Sequence, residues 1–134
     1  MKPEYPLWDI PQNIEELIVD DAVWEDDRWY PILLTVMGGT SYKGRDIPLA
    51  WQIEFEPYGD EFLEPNQKII ELGAEPDGYG WANAIHGVIK QYHPEIVDEL
   101  HSGDSETDTC VIWTESEAAC KLLMQVAWAV IRGV

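Results

Sequence analysis

Residues 50–56 read Ala-Trp-Gln-Ile-Glu-Phe-Glu, a run in which large apolar side chains alternate with polar ones. Because successive side chains of a β-strand point to opposite faces, this alternation predicts a strand that buries one face and exposes the other. The apolar set is Trp51, Ile53 and Phe55, and the polar set is Gln52, Glu54 and Glu56. The stretch therefore predicts a sheet with a hydrophobic core on one side.

A second strand is predicted at residues 29–37, where the near-continuous apolar run WYPILLTVM is typical of a central position in a sheet. Pro31 should lie near the start of this strand, because proline has no N–H to donate to a ladder. We expect the Gly-Gly pair at 38–39 to end the strand and to open a loop. That loop contains Lys43 and Arg45, the only close pair of basic residues in the chain.

Apolar residues recur at helical spacing after residue 79. They are Trp81, Ile85, Val88, Ile89 and Tyr92, and Pro94 follows them. The spacing predicts a helix over residues 80–92 that ends before the proline, with a second short turn over 95–100. Residues 61–75 fit either an irregular excursion or a helical turn.

The C-terminal part predicts a strand at 110–113 followed by a helix. Thr114 and Glu117 have the spacing of a capping box, in which each side chain bonds the backbone amide of the other. The apolar stripe of the helix is Ala119, Leu122, Leu123, Val126 and Val130. Gly133, just past Arg132, should end the helix.

Residues 1–13 contain three prolines and predict an extended lead-in, with Asn13 as a candidate cap for a helical turn at 14–17. A length of 134 residues fits one hydrophobic core. The order of elements predicts a single α+β domain over residues 1–134. Its sheet should be antiparallel or mixed, with helices packed on one face.

The charge balance is strongly acidic, with 26 Asp and Glu against 8 Lys and Arg and a formal net charge of −18. Such a chain repels nucleic acids and anionic lipids, so we expect neither a nucleic-acid partner nor a membrane partner. A basic protein is the natural complement. The acidity is also compatible with a role in solubility alone or with a cell adapted to high salt.

Targeting signals are not apparent in the sequence. Residues 1–13 have no apolar run typical of a signal peptide, and no stretch approaches the roughly 18 apolar residues of a membrane span. Cys110 and Cys120 lie on a predicted buried strand and a predicted amphipathic helix, which suits free thiols in a reducing compartment. We therefore expect a cytoplasmic protein, although a disulfide stays an open alternative.

An acidic cluster with an embedded tryptophan is the candidate partner-binding site. It comprises Asp20, Asp21, Trp24, Glu25, Asp26 and Asp27. Exposed carboxylates speed the encounter with a basic surface, and a buried aromatic residue supplies much of the affinity. The alternative is a solvated acidic turn whose aromatic residues belong to the core.

Other chemistries find little support in the sequence. His86, His93 and His101 have no i,i+3 or i,i+4 spacing, so they do not predict a zinc site. The acidic run at 104–108 alternates as in a calcium loop, but Thr109 stands where that loop needs glycine. No nucleotide-binding or hydrolase motif is present. We expect no metal, no cofactor and no enzymatic activity.

The stretch DGYGW at residues 77–81 is a candidate fold-supporting motif at the start of the predicted helix. Gly78 can adopt a positive φ, a conformation that other residues rarely accept. Tyr79 and Trp81 can anchor the helix to the sheet through their rings.

Three segments resemble the immunity protein 51 family of bacterial polymorphic toxin systems. They are DGYGW at 77–81, Asp-Ser-Glu at 104–106 before a strand, and Trp-Thr-Glu at 113–115 before the final helix. The family pattern has Gly-Asn-Gly-Tyr-x-Trp, Asp-Pro-Glu and aromatic-Ser-Glu in this order. The resemblance covers roughly residues 77–131. The chain departs from the pattern at Asp77, Ser105, Asp108 and Cys110, and residues 38–76 match nothing in it.

The resemblance implies an α+β immunity protein of a bacterium, which binds a toxin domain of its own system and neutralises it by stoichiometric occlusion. Many toxins of this kind are basic nucleases, so the resemblance and the acidity point to the same partner. The first alternative is an acidic adaptor or regulatory domain inside a larger complex, and the second is a carboxylate-dependent enzyme. The sequence does not indicate an oligomeric state.

Overall fold

The structure is a computed structural model that describes residues 5–18 and 23–132, without the side chains of residues 40, 42 and 45. Its strands are β1 (Val23–Asp26), β2 (Leu33–Tyr42), β3 (Arg45–Phe55) and β4 (Cys110–Thr114). Its α-helices are α1 (Ile14–Leu17), α2 (Leu63–Glu71), α3 (Gly78–Tyr92) and α4 (Glu117–Arg132). Short 3-10 helices lie at Asp60–Phe62 and Pro94–Glu99.

The four strands form one antiparallel sheet in the order β1-β2-β3-β4. The predicted strand at 50–56 is confirmed as the C-terminal half of β3, and the strand predicted at 110–113 is confirmed as β4. Beyond β4, His101 forms an isolated bridge with Trp113. The α+β fold with an antiparallel sheet is therefore confirmed.

The two faces of the sheet differ as the alternation predicts. One face carries the buried side chains Leu34, Val36, Trp51, Ile53, Phe55, Cys110 and Ile112. These belong to the same core cluster as the buried residues of all four helices. The other face carries partly exposed polar side chains such as Gln52 and Glu54. The helices thus cover one face, as predicted, and the polar face of β3 lies on the opposite side.

The β2–β3 hairpin corrects the prediction for residues 29–42. The strand does not begin at Trp29, because residues 27–32 form a turn with bonds from the Tyr30 amide to the Asp27 carbonyl and from Ile32 to Trp29. Nor does the strand end at the glycine pair, since Gly38 still pairs with Leu49. A Cβ at Gly38 would lie 3.3 Å from the Ile18 side chain, so glycine suits this packed position. The chain reverses at Lys43 and Gly44, which have positive φ.

Helix α3 confirms the helix predicted over 80–92 and begins slightly earlier, at Gly78. The Asp77 carboxylate caps it by accepting a hydrogen bond of 2.8 Å from the Gly80 amide. The Trp81 ring packs edge-on against Phe55 and Phe62 at centroid distances of 5.4 and 5.6 Å. Helix α3 is therefore anchored to strand β3 through a fully buried aromatic cluster.

Helix α4 begins at Glu117, and the capping box predicted for it is wrong. The Ala119 amide donates to the Ser116 hydroxyl at 3.2 Å, so Ser116 caps the helix. Thr114 is buried at the end of β4, and its hydroxyl donates to the Trp51 and Ser116 carbonyls instead. The buried stripe also differs from the predicted one and comprises Ala119, Cys120, Leu123, Met124, Ala127, Trp128 and Ile131.

Within the described ranges, none of the helices has the length and apolar character that crossing a membrane would require. Cys110 and Cys120 are both free and buried, and burial raises the pKa of each thiol. Neither thiol is therefore a ready nucleophile or metal ligand at neutral pH.

Candidate functional site

The sheet face turned away from the helices, here named the open face, is the candidate functional site. Its side chains come from alternate positions of four strands. They are Val23 and Glu25 of β1, Leu33, Thr35 and Met37 of β2, Ala50, Gln52 and Glu54 of β3, and Val111 and Trp113 of β4. One row across the sheet pairs Glu25 with Thr35, Thr35 with Gln52, and Gln52 with Trp113. The middle row of the open face is thus polar at Thr35 and Gln52, and apolar side chains such as Met37 and Leu33 lie on either side of it.

A cavity of about 510 Å³, here named the tryptophan cavity, lies at the β4 end of the open face. Trp113, Met37 and Gln52 supply its large side chains, and Asp104 supplies a carboxylate at its rim. Glycines at 38, 39 and 103 also line it, and their lack of side chains leaves the space open. The volume lies within the range of ligand pockets, which is roughly 300–1,000 Å³.

A histidine–glutamate pair borders the tryptophan cavity. Reciprocal backbone bonds of 2.9 Å hold His101 beside Trp113, and the two rings pack with centroids 4.2 Å apart. His101 Nε2 lies 2.7 Å from Glu115 Oε2, and each side chain of this pair is 13% exposed. The described residues that line the cavity include no Ser, Thr or Cys, the side chains that a histidine could activate as a nucleophile. The contacts of His101 with Glu115 and Trp113 hold the imidazole in place and shape the wall of the cavity.

A second cavity of about 400 Å³, here named the tyrosine cavity, lies where β2 begins and β3 ends. Its walls include Tyr30, Tyr58, Leu33, Glu54, Glu56 and Glu61. The Tyr30 hydroxyl donates to the Glu61 carboxylate at 3.2 Å, and the Tyr58 hydroxyl donates to the Thr107 carbonyl at 2.7 Å. Both hydroxyl protons are thus engaged, and ring surface is what the tyrosines offer to an incoming group.

The carboxylates of the tyrosine cavity are crowded, and the nearby Arg132 guanidinium donates to the Tyr30 backbone carbonyl rather than to them. Burial raises the pKa of Glu54, and the charges of Glu25 and Glu56 raise it further. The Glu61 carboxylate likewise raises the pKa of Tyr30. Among the described residues that line either cavity, none is Lys or Arg. This end of the open face therefore carries like charges that a positive group from outside would stabilise.

The structure separates the members of the acidic cluster predicted as the partner-binding site. Asp20 and Asp21 lie outside the described residues. Trp24 is half-buried and packs against the core, as the alternative interpretation proposed for the aromatic residues. Asp26 bonds Arg28 at 2.7 Å, whereas Glu25 and Asp27 are exposed. Of the described members, Glu25 lies on the open face.

The Asp26–Arg28 pair gives Asp26 a local role. Burial alone would raise the pKa of this carboxyl, but the hydrogen bonds and the charge of Arg28 lower it below its usual value. The Arg28 guanidinium also donates to the Leu7 carbonyl at 3.1 Å. The pair therefore ties the N-terminal segment to the turn after β1.

The fold-supporting motif is placed as follows. Trp81 is fully buried, and its indole N–H donates to the Asn66 amide oxygen at 2.7 Å. Tyr79 is 51% exposed, so it contributes little to the anchoring that the sequence suggested. Gly78 has a helical conformation, so the expected positive φ is wrong. Its role is close approach, because a Cβ there would lie 1.8 Å from the Glu106 carbonyl oxygen.

Sequence reasoning missed the role of several residues on the open face, among them Trp113, Tyr30 and Tyr58. The alternation at 50–56 already marked Gln52, Glu54 and Glu56 as the exposed side of β3. The residues of β2 and β4 that lie beside them could be identified only from the strand order and register, which the sequence does not show.

Among the described residues, no group of three or more His, Cys, Asp or Glu is placed to hold a metal ion. No family model, no curated protein and no solved structure matches the chain.

Proposed function

We propose that this chain is a bacterial immunity protein that binds a basic toxin domain through the open face and blocks it by occlusion in the cytoplasm. The observation that carries the proposal is the open face, which combines two cavities with carboxylates and has no Lys or Arg among the described lining residues. Such a surface is complementary in charge to a cationic protein, and its cavities can receive side chains of that protein.

The distribution of charge and ring surface suits rapid and tight binding. A net charge of −18 draws a basic partner toward the chain, and this attraction raises the association rate. At the contact, aromatic side chains that become buried supply a large share of the affinity. Trp113 and Tyr30 provide such surface on or beside the open face.

The carboxylates also suit a nuclease as the partner. A nuclease binds the phosphates of its substrate with Lys and Arg side chains. Carboxylates at the same spacing can form ion pairs with those side chains in place of the phosphates. Occlusion needs no catalysis by the inhibitor. The resemblance to the immunity protein 51 family supports this role, since members of that family neutralise toxins by binding. The alternative is an acidic adaptor within a larger assembly.

The test is a tagged pull-down from the native cell at low salt, followed by expression of the recovered partner alone and with this chain. We expect one basic protein in equal amount, growth arrest when it is expressed alone, and rescue when this chain is coexpressed. Recovery of a larger host assembly, or of a partner that does not arrest growth, would support the adaptor and contradict the inhibitor.

A matched control separates binding from expression level. The Trp81→Ala chain loses a core side chain, so its folded fraction should fall together with rescue. A chain with Glu71→Gln, which changes an exposed carboxylate of α2, should rescue as well as the unmodified chain.

A further inference from the structure

We propose that the tyrosine cavity receives an arginine side chain of the partner. This inference rests on the proposed function, because it names the group on a basic partner that the open face binds. It assigns to Glu54, Glu56 and Glu61 the role of guanidinium acceptors, with ring surface from two tyrosines.

The volume and the lining of the cavity leave room for a long side chain. The cavity of about 400 Å³ lies at the end of β3, with Glu54 on the strand, Glu56 just past its last residue and Glu61 on the following 3-10 turn. Tyr30 is 62% exposed and Tyr58 is 46% exposed, so their rings are accessible from solvent. An entering side chain can therefore contact carboxylates and aromatic surface together.

The chemistry of the acceptors calls for several donors. None of the described residues donates a hydrogen bond to the carboxylate of Glu54 or Glu56 or forms an ion pair with it. Glu61 accepts one bond, from the Tyr30 hydroxyl. The cavity thus has acceptor oxygens to spare, and a guanidinium offers five N–H donors in a planar fork.

The electrostatics favour a cation at this place. Glu54 is half-buried beside the like charges of Glu25 and Glu56, which disfavour its ionised form. A guanidinium in the cavity would offset that repulsion. The described lining contains no Lys or Arg. The Arg132 guanidinium lies outside the lining, where it donates to the Tyr30 backbone carbonyl at 2.6 Å. A guanidinium from another molecule would bring positive charge to the carboxylates themselves.

Arginine fits better than lysine for two reasons. A guanidinium is planar and stacks on aromatic faces, whereas an ammonium is a compact and strongly hydrated charge. Carboxylates on neighbouring elements also suit the bidentate bonds that only the guanidinium makes. Arginine is therefore the side chain that we expect in the cavity, and the test compares its binding with that of lysine.

The test titrates the ¹⁵N-labelled full chain with the capped tripeptide Gly-Arg-Gly at about 0.15 M salt, where distant surface charges are screened. Two matched peptides replace the arginine by citrulline, which has the same shape without the charge, and by lysine. We expect saturable shifts of the Leu33, Glu54 and Tyr58 amides with arginine. The dissociation constant should be at least tenfold higher with citrulline and at least threefold higher with lysine.

Variants locate the site. Glu54→Gln should raise the dissociation constant of the arginine peptide at least fivefold, whereas Glu71→Gln, with the same change in charge, should stay within twofold. Tyr30→Phe keeps the ring and should also stay within twofold, while Tyr30→Leu should weaken binding at least threefold. Because all three substituted side chains are partly or largely exposed, the variants should fold.

Several results would overturn the inference: shifts spread evenly over the acidic surface, equal binding of arginine and citrulline, tighter binding of lysine, or equal effects of Glu54→Gln and Glu71→Gln. These failures are distinguishable from failure of the proposed function. Rescue of growth without arginine binding would remove the arginine site and leave the inhibitor. Arginine binding by a chain that rescues no growth would leave the site and remove the inhibitor.

Discussion

The two faces of β3 use the same strand geometry for opposite purposes. On one face Trp51, Ile53 and Phe55 are at most 4% exposed and belong to the core. On the other face Glu54 and its neighbours stay accessible, and their charges repel one another. A single period of two therefore specifies both the fold and the surface that we assign to binding. Substitutions on the core face should cost stability, and substitutions on the open face should cost binding.

The largest expected effect is that of Trp81→Ala on the core side. Removal of a fully buried tryptophan that contacts Phe55 and Phe62 should lower the free energy of unfolding by about 3–5 kcal/mol. Trp113→Ala on the open face is the matched comparison and should cost less than half as much. Urea denaturation followed by far-UV circular dichroism measures both. Equal costs would show that Trp113 is a core residue.

Gly78→Ala should have the next largest effect. Its methyl group would meet the Glu106 carbonyl oxygen at 1.8 Å, so the loop after His101 must move away from α3. We expect a loss of about 1–3 kcal/mol, the usual cost of overpacking. Gly87→Ala on the same helix is the control, because a Cβ there has open space around it. Alanine should stabilise the helix at that position by up to about 1 kcal/mol.

A smaller, pH-dependent effect is expected for Asp26→Asn beside the open face. The pKa of Asp26 is lower in the folded chain than in the unfolded one, so its contribution is present at neutral pH and is lost as pH falls through the folded value. The substitution should cost about 0–1 kcal/mol at pH 7, as for exposed ion pairs, and less as the pH falls through the folded pKa. A cost that does not change with pH would contradict the ion-pair account.

Glu54→Gln should have the smallest effect and the opposite sign. The pKa of Glu54 is higher in the folded chain than in the unfolded one, so ionisation destabilises the fold as pH rises above the usual pKa of a glutamate. The free energy of unfolding of the variant, relative to that of the unmodified chain, should therefore be up to about 0.5 kcal/mol higher at pH 7 than at pH 3. A loss at pH 7 would mean that Glu54 has a stabilising partner, and it would weaken the case for an unmet charge at the tyrosine cavity.

Much of the fold was predictable from the sequence because its signals are local. The alternation at 50–56 and the apolar spacing at 80–92 each specify one element and its buried face. The prediction for the Gly-Gly pair was wrong because cross-strand pairing with β3 outweighs the low strand propensity of glycine. The capping box was wrong for a similar reason, since Thr114 is drawn into the sheet and Ser116 takes its place.

The candidate site was less predictable than the fold. The acidic cluster contributed Glu25, but Trp24 belongs to the core periphery and Asp26 has its own cation. Tyr30 and Tyr58 are 28 positions apart in the chain and share one cavity. The proximity of these two residues depends on strand register and turn geometry, which no single stretch of sequence encodes.

The most direct test of the open face compares two triple variants of equal charge. One neutralises Glu25, Glu54 and Glu56 to Gln, and the other neutralises Glu64, Glu71 and Glu75 on the helical side. Stopped-flow measurement of association with the copurified partner should show at least a tenfold slower rate for the first variant and less than a twofold change for the second. Equal slowing of the two variants would contradict the assignment of binding to the open face.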